Sequence, residues 1–69
     1  MKLSTRNIIK GKVIDVKTGM IMAKVKVDIG GGQAMTALVS DEAVKELDIK
    51  VGDPINLLIK ATSVMLGKD

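Results

Sequence analysis

The chain of 69 residues predicts an all-β fold with one short helix, arranged as a five-stranded OB-type barrel. Three observations lead to this prediction. Apolar and polar residues alternate in several short segments, as they do in half-buried strands. The alternation shifts by one residue inside the first segment, which is what a β-bulge produces. A short helical segment lies between the third and fourth strands, and the whole length, 1–69, fits one domain.

The first strand is predicted over 8–16. Its apolar residues lie on one face as far as Val13 and on the other face from Ile14 onward. Since neighbouring residues of a strand point to opposite faces, this shift requires a bulge, and Gly11 is well placed to allow the bend. Residues 17–19 are Lys-Thr-Gly and are predicted to turn the chain.

A regular alternation from 20 to 29 predicts a second strand that is half-buried. The residues on its predicted core face are Ile21, Ala23, Val25, Val27 and Ile29. The glycines at 30–32 then allow a hairpin turn into a third strand over 33–39. A phosphate-binding loop is a much weaker interpretation of these glycines, because neither a Lys-Ser/Thr pair nor a long helix follows them.

Ser40 is predicted to cap a short helix over 41–47, because its hydroxyl can accept a hydrogen bond from a backbone N–H of the first turn. Asp41 and Glu42 complement the helix dipole there. The residues with the spacing of a core face are Ala43, Val44 and Leu47. The rest of the chain is predicted as a loop over 51–54 and two strands, over 55–60 and 63–66.

The composition narrows the classes of protein. The chain has no cysteine and no histidine, which excludes disulfides and zinc sites of the Cys/His type. A core of this size rarely supplies more than roughly 3–5 kcal/mol of net stability, so we expect a homo-oligomer. No apolar run has the length of a membrane helix, and the N-terminus does not resemble a signal peptide, so the cytoplasm is expected. The net charge of +3 is compatible with anionic partners of any size.

No catalytic arrangement is predicted. Histidine and cysteine are absent, and no serine or threonine has a lysine or carboxylate activator at motif spacing. The five methionines are more simply core residues than ligands of a soft metal, because no cysteine or histidine accompanies them. We therefore expect a binding protein without a catalytic cofactor, and not an enzyme.

Two segments near opposite ends of the chain, 4–7 and 59–62, each combine hydroxyls, amides and one cation. These are the groups that hold a tetrahedral oxyanion. Each candidate also has an ordinary interpretation. From composition alone, Arg6 is compatible with an ordinary solvated surface charge, and Lys60 with a strand-end lysine that reaches solvent. Ser40 either serves only as the helix cap or also donates a hydrogen bond to an anion.

The sequences Ser-Thr-Arg-Asn at 4–7, Lys-Gly-Lys-Val at 10–13 and Leu-Ile-Lys-Ala-Thr-Ser-Val-Met at 58–65 closely resemble the molbindins, the small Mop-type, molybdenum-pterin-binding proteins. The resemblance covers nearly the whole chain. It implies an OB-type barrel of the molybdate-binding Mop/TOBE-like kind. It also implies a homohexamer, a trimer of dimers, with sites between subunits where Arg6 and Lys60 meet from different chains.

The resemblance further implies two classes of oxyanion site. The residues expected at the first class are Ser4, Thr5, Arg6, Asn7, Ser40, Lys60 and Ala61. For the second class, near a threefold axis, the turn at Gly19 and Met20 is the candidate. Two positions depart from the family pattern, since Thr5 replaces the alanine most common there and Ala43 replaces a second hydroxyl.

These observations predict a cytoplasmic protein that binds molybdate, and tungstate, for intracellular molybdenum storage and homeostasis. The metal is held through the oxygens of its oxyanion, so neither imidazole nor thiolate ligands are needed. A nucleic-acid-binding OB module is one alternative, but such modules stack bases on aromatic side chains and this chain has none. A regulatory module of a molybdate transporter or regulator is another. We expect no nucleic-acid or membrane partner.

Overall fold

The computed structural model describes residues 4–69. The elements in chain order are β1 (Asn7–Thr18), β2 (Met22–Gly30), β3 (Gln33–Ser40), α1 (Asp41–Glu46), β4 (Pro54–Ile59) and a 3₁₀ turn (Ala61–Ser63). The strands form one antiparallel four-stranded sheet in the order β3-β2-β1-β4. The prediction of a mostly β fold with one short helix is therefore confirmed.

The long strand β1 organises the sheet because it pairs with both neighbours. Its residues 7–12 pair with β4, and its residues 12–18 pair with β2. The register with β2 shifts between Val13 and Asp15, so the predicted bulge is present. Gly11 precedes this bulge and has a different role from the predicted bend. A Cβ at this position would lie 2.7 Å from the backbone oxygen of Asp28, so the glycine allows β1 and β2 to approach closely.

The core lies between the inner face of the sheet and the helix. Its buried residues are Val13, Ala23, Val25, Val27 and Val44. The alternation predicted for β2 is thus confirmed over its central residues. The prediction for Ile21 is wrong, since this residue is 76% exposed. A turn closed by the Gly19 N–H and the Met22 carbonyl, 2.9 Å apart, delays the start of β2 and leaves Ile21 outside the strand.

Helix α1 begins where the sequence predicts. Ser40 has an extended backbone, and its Oγ accepts a hydrogen bond from the Ala43 N–H at 3.0 Å. Val44 is buried, but Leu47 is 70% exposed, so its predicted place in the core is wrong. The helix ends at Glu46, one residue earlier than predicted, and Leu47 occupies the C-cap.

The fifth strand predicted over 63–66 is not formed within residues 4–69. After the 3₁₀ turn, residues 64–69 are exposed and pair with no strand of the described chain. Among residues 4–69, the sheet therefore has two free edges, β3 and β4. An apolar groove of 270 Å³ lies against its inner face, lined by residues that include Val25, Val39, Ile55 and Leu57. None of the helices described in residues 4–69 has the length and apolar character needed to span a membrane.

Candidate oxyanion-binding site

The two donor-rich segments predicted from the sequence meet at one end of the sheet. Asn7, the first residue of β1, lies opposite Ile59, the last residue of β4, in the antiparallel register. Residues 4–6 precede this pair and residues 60–62 follow it. The pairing of β1 with β4 therefore places the two segments side by side, although they lie near opposite ends of the sequence.

A pocket of 260 Å³ lies between these segments. Its lining residues are Ser4, Thr5, Arg6, Lys60, Ala61 and Thr62. Most of the residues expected at the first oxyanion site are thus in one place, and Asn7 adjoins them at the start of β1. Thr62 lines the pocket but was absent from the expected set. In the sequence, the feature that could have identified Thr62 is its hydroxyl within the donor-rich segment 59–62.

The pocket carries an excess of positive charge. Arg6 and Lys60 both line it, and no acidic residue of the described range, 4–69, does. Within residues 4–69, the single ion pair joins Lys50 Nζ to Asp48 Oδ2, 3.3 Å apart, in the loop that follows α1. Neither pocket cation therefore has a carboxylate partner in the described part of the chain. Such an arrangement favours an anion over a cation or a neutral ligand.

Backbone N–H groups add further hydrogen-bond donors to the pocket. The 3₁₀ turn is closed by the Ser63 N–H, which donates to the Lys60 carbonyl at 2.9 Å. The N–H groups of Ala61 and Thr62 begin this turn and have no acceptor among residues 4–69. Since Ala61 has only a methyl side chain, an anion can approach the backbone closely.

The side chain of Thr5 is already engaged within the protein. Its Oγ1 donates a hydrogen bond of 2.8 Å to the carbonyl of Ile59, and the bond is partly buried. A hydroxyl has one proton to donate, so while this bond holds it has none for a ligand. The Thr5 hydroxyl is therefore not a free donor in this conformation.

Ser40 lies at the other end of β1 from Arg6. It is level with Met22 in the sheet register, close to the Thr18 end of β1. The 12 residues of β1 lie between this end and the Arg6 pocket, at most roughly 40 Å along the strand at about 3.3 Å per residue. Ser40 and Met20 line a second pocket, of 440 Å³. A single chain thus does not bring Ser40 to the cations with which it was grouped.

The second pocket differs chemically from the first. Asp41 and Glu42 line it together with Lys45, so carboxylates offset its positive charge. Ser40 Oγ accepts from the Ala43 N–H and keeps its own proton for donation to another group. In the neighbouring turn, the Gly19 N–H is bonded to the Met22 carbonyl, and Met20 is 99% exposed.

This geometry bears on one expectation about the site, which concerns Arg6 and Lys60. Arg6 and Lys60 were expected to meet from different chains, but both line the same pocket of one chain. The physical reason is the antiparallel pairing of β1 with β4, which the sequence alone does not reveal. No cluster of three or more His, Cys, Asp or Glu residues that could hold a metal ion occurs in the described range, 4–69.

Comparison with known proteins identifies the family of this chain. The model of the TOBE domain matches residues 3–66. The chain belongs to the TOBE-domain family. A probable molybdenum-pterin-binding protein of Haemophilus influenzae is 51% identical to it over 67 residues, which cover 97% of this chain and 97% of that protein. The resemblance to the Mop-type, molybdenum-pterin-binding members of the family is thereby confirmed.

Solved structures of this kind share the fold. A molybdate-binding protein from Sporomusa ovata superimposes with a TM-score of 0.93 at 34% identity, over 99% of this chain and 100% of that chain. The cytoplasmic molybdate-binding protein ModG, in a crystal form with molybdate bound, gives a TM-score of 0.83 at 41% identity. That match covers 88% of this chain and 43% of the ModG chain.

Proposed function

We propose that this protein binds molybdate, and tungstate, as intact oxyanions and acts as a cytoplasmic store for molybdenum homeostasis. One observation carries the proposal: Arg6 and Lys60 line one pocket to which no carboxylate contributes. The family relatives whose names describe molybdenum-pterin or molybdate binding support this class of ligand. The cytoplasmic relative ModG supports the location. We propose that residues 1–69 form a single domain for this purpose.

The donor set of the pocket suits a fully deprotonated tetrahedral dianion. All four oxygens of such an anion accept hydrogen bonds, and the pocket offers a guanidinium, an ammonium, hydroxyls and backbone N–H groups. A hydrogen bond to a charged group contributes about 1.5–3 kcal/mol. The metal is then held through its oxygens, so the protein needs no side chain that binds molybdenum directly. We infer a binding protein and not an enzyme, and the relatives are likewise named as binding proteins.

We propose that the complete site lies between two subunits. The Arg6 pocket of one chain is open to solvent, and Ser40 lies at the far end of the same chain. A site that includes both therefore takes Ser40 from a second copy. Its hydroxyl has a free proton to donate, as the anion requires. The proposed site is thus still at a subunit interface, as expected from the sequence. Arg6 and Lys60 now come from one chain and Ser40 from the other.

Assembly also provides a fifth strand for the sheet. Strand β3 is a free edge without a single charged residue, and such an edge is open to pairing with another strand. The segment 64–66 is apolar and exposed, with Met65 at 90% and Leu66 at 97%. We propose that this segment of a second copy fills the apolar groove and completes the five-stranded barrel, within a hexamer built as a trimer of dimers. The turn at Gly19 and Met20 remains our candidate for a second class of site.

Calorimetric titration with four anions tests the proposed ligand. Molybdate and tungstate should bind, whereas sulfate should bind more weakly because its smaller tetrahedron leaves longer hydrogen bonds. Phosphate carries a proton near neutral pH, and the pocket has no carboxylate to accept it. Equal affinities for molybdate and sulfate would contradict a dedicated site. Tight binding of single-stranded DNA would instead support the nucleic-acid alternative.

A further inference from the structure

The hydrogen bond from Thr5 Oγ1 to the Ile59 carbonyl, 2.8 Å long, joins the two walls of the oxyanion pocket. Thr5 belongs to the wall formed by residues 4–6, and Ile59 is followed directly by Lys60 on the opposite wall. Within residues 4–69, the other side-chain hydrogen bonds connect positions two or three residues apart. The Thr5 bond therefore differs from them in linking distant parts of the chain.

This hydrogen bond lies beyond the end of the β1–β4 ladder. The β1–β4 ladder ends at Asn7 and Ile59, and the pocket segments extend beyond that last pair. Without the Thr5 bond, no side-chain hydrogen bond of the described residues holds 4–6 against 60–62. Both segments are mostly exposed, so little packing would hold their spacing.

We infer that Thr5 is a positioning residue that fixes the separation of Arg6 and Lys60 before the anion arrives. Its hydroxyl is an internal brace and not a ligand of the anion. The inference rests on the proposed function and deepens it, because a pocket held at one width favours an anion of one size. The brace therefore contributes both to the affinity for molybdate and to its discrimination against sulfate.

Three variants test the brace. Thr5→Val has nearly the same shape but no hydroxyl, and Thr5→Ser keeps the hydroxyl. The control Thr36→Val removes a hydroxyl from an exposed position on β3. Calorimetry gives the affinities for molybdate and sulfate. Hydrogen exchange of the anion-free protein at the Ser63 amide, whose N–H is bonded to the Lys60 carbonyl, reports the opening of the pocket segments.

We expect Thr5→Val to lower the molybdate affinity about three- to tenfold, as the loss of one hydrogen bond implies, and to reduce the molybdate-to-sulfate affinity ratio. Exchange of the Ser63 amide should be faster in the anion-free Thr5→Val protein, while exchange at the centre of the sheet is unchanged. Thr5→Ser should stay within about twofold of the wild type, and so should Thr36→Val.

Three results would overturn the brace. Unchanged anion-free exchange with reduced affinity would make the hydroxyl a direct ligand, and faster exchange with unchanged affinity would make the bond irrelevant to binding. A Thr5→Ser protein as weak as Thr5→Val would assign the effect to packing. If the wild type binds no molybdate, the proposed function fails instead, and the anion-free exchange alone decides whether the bond holds the two segments.

Discussion

Asn7 and Ile59 form the terminal pair of the β1–β4 ladder, and the donor-rich pocket begins immediately beyond them. This register explains why two segments near opposite ends of the sequence line one pocket. It also determines which residues a single chain contributes. Arg6 and Lys60 lie in one pocket, whereas Ser40 is at the far end of the same chain.

Removing either pocket cation should weaken molybdate binding. Arg6→Ala and Lys60→Ala should each lose about 1.5–3 kcal/mol of binding free energy, roughly ten- to a hundredfold in affinity, because each removes a charged hydrogen-bond donor. The matched control is Lys24→Ala, which removes the same charge from an exposed position of β2 outside the pocket. Calorimetry compares the three variants. An equal loss in the control would point to a general effect of net charge.

Mixed oligomers should reveal how the site is divided between subunits. Arg6→Ala and Ser40→Ala proteins, refolded together, should regenerate intact sites, about a quarter of the total (½ × ½), because each chain supplies what the other lacks. Arg6→Ala mixed with Lys60→Ala should regenerate none, since both residues are needed from the same chain. Tight sites are counted by calorimetry after native mass confirms mixing. Tight sites in the mixture of Arg6→Ala with Lys60→Ala, and none in the mixture of Arg6→Ala with Ser40→Ala, would contradict this division of the site between subunits.

The apolar segment that follows the 3₁₀ turn should control assembly. Leu66→Asp introduces a charge where the segment is proposed to enter the apolar groove of another copy, so it should shift the protein toward smaller species. The control is Val51→Asp, in an exposed loop before β4. Sedimentation at several concentrations measures the effect. A Leu66→Asp protein that assembles like the wild type would exclude this segment from the interface.

The close approach of β1 and β2 at Gly11 should make this position intolerant of a side chain. Gly11→Ala places a Cβ against the Val27 side chain and the Asp28 carbonyl, so we expect a loss of about 1–3 kcal/mol in the free energy of unfolding. Gly67→Ala is the control, because a Cβ there meets no atom within 4 Å. Urea denaturation measures both. Equal stability of the two variants would contradict the close strand packing.

Local features of the fold could be predicted because their causes are local. The alternation around Val25 and the hydroxyl cap at Ser40 depend on neighbouring residues, and both predictions are confirmed. Ile21 and Leu47 were misplaced because periodicity shows which face a residue shares, but not where a turn or a C-cap ends the element.

Long-range features could not be predicted in the same way. The pairing that puts Arg6 beside the Lys60 segment depends on the β1–β4 register. The residue types of the pocket were therefore predictable, but the meeting of its two walls within one chain was not. The segment 63–66 has the composition of a strand, but a strand also needs a free edge to pair with. The described single chain has free edges at β3 and β4, but this segment pairs with neither of them.

Native mass measurement of the protein, with and without molybdate, tests the central claim most directly. We predict an oligomer whose mass increases by bound molybdate, with the increments lost or strongly reduced in Arg6→Ala while the subunit number is unchanged. The same spectra give the subunit number, expected to be six, and the number of anions for each oligomer. A monomer, or an Arg6→Ala oligomer that carries as much molybdate as the wild type, would contradict an interfacial oxyanion site built on this pocket.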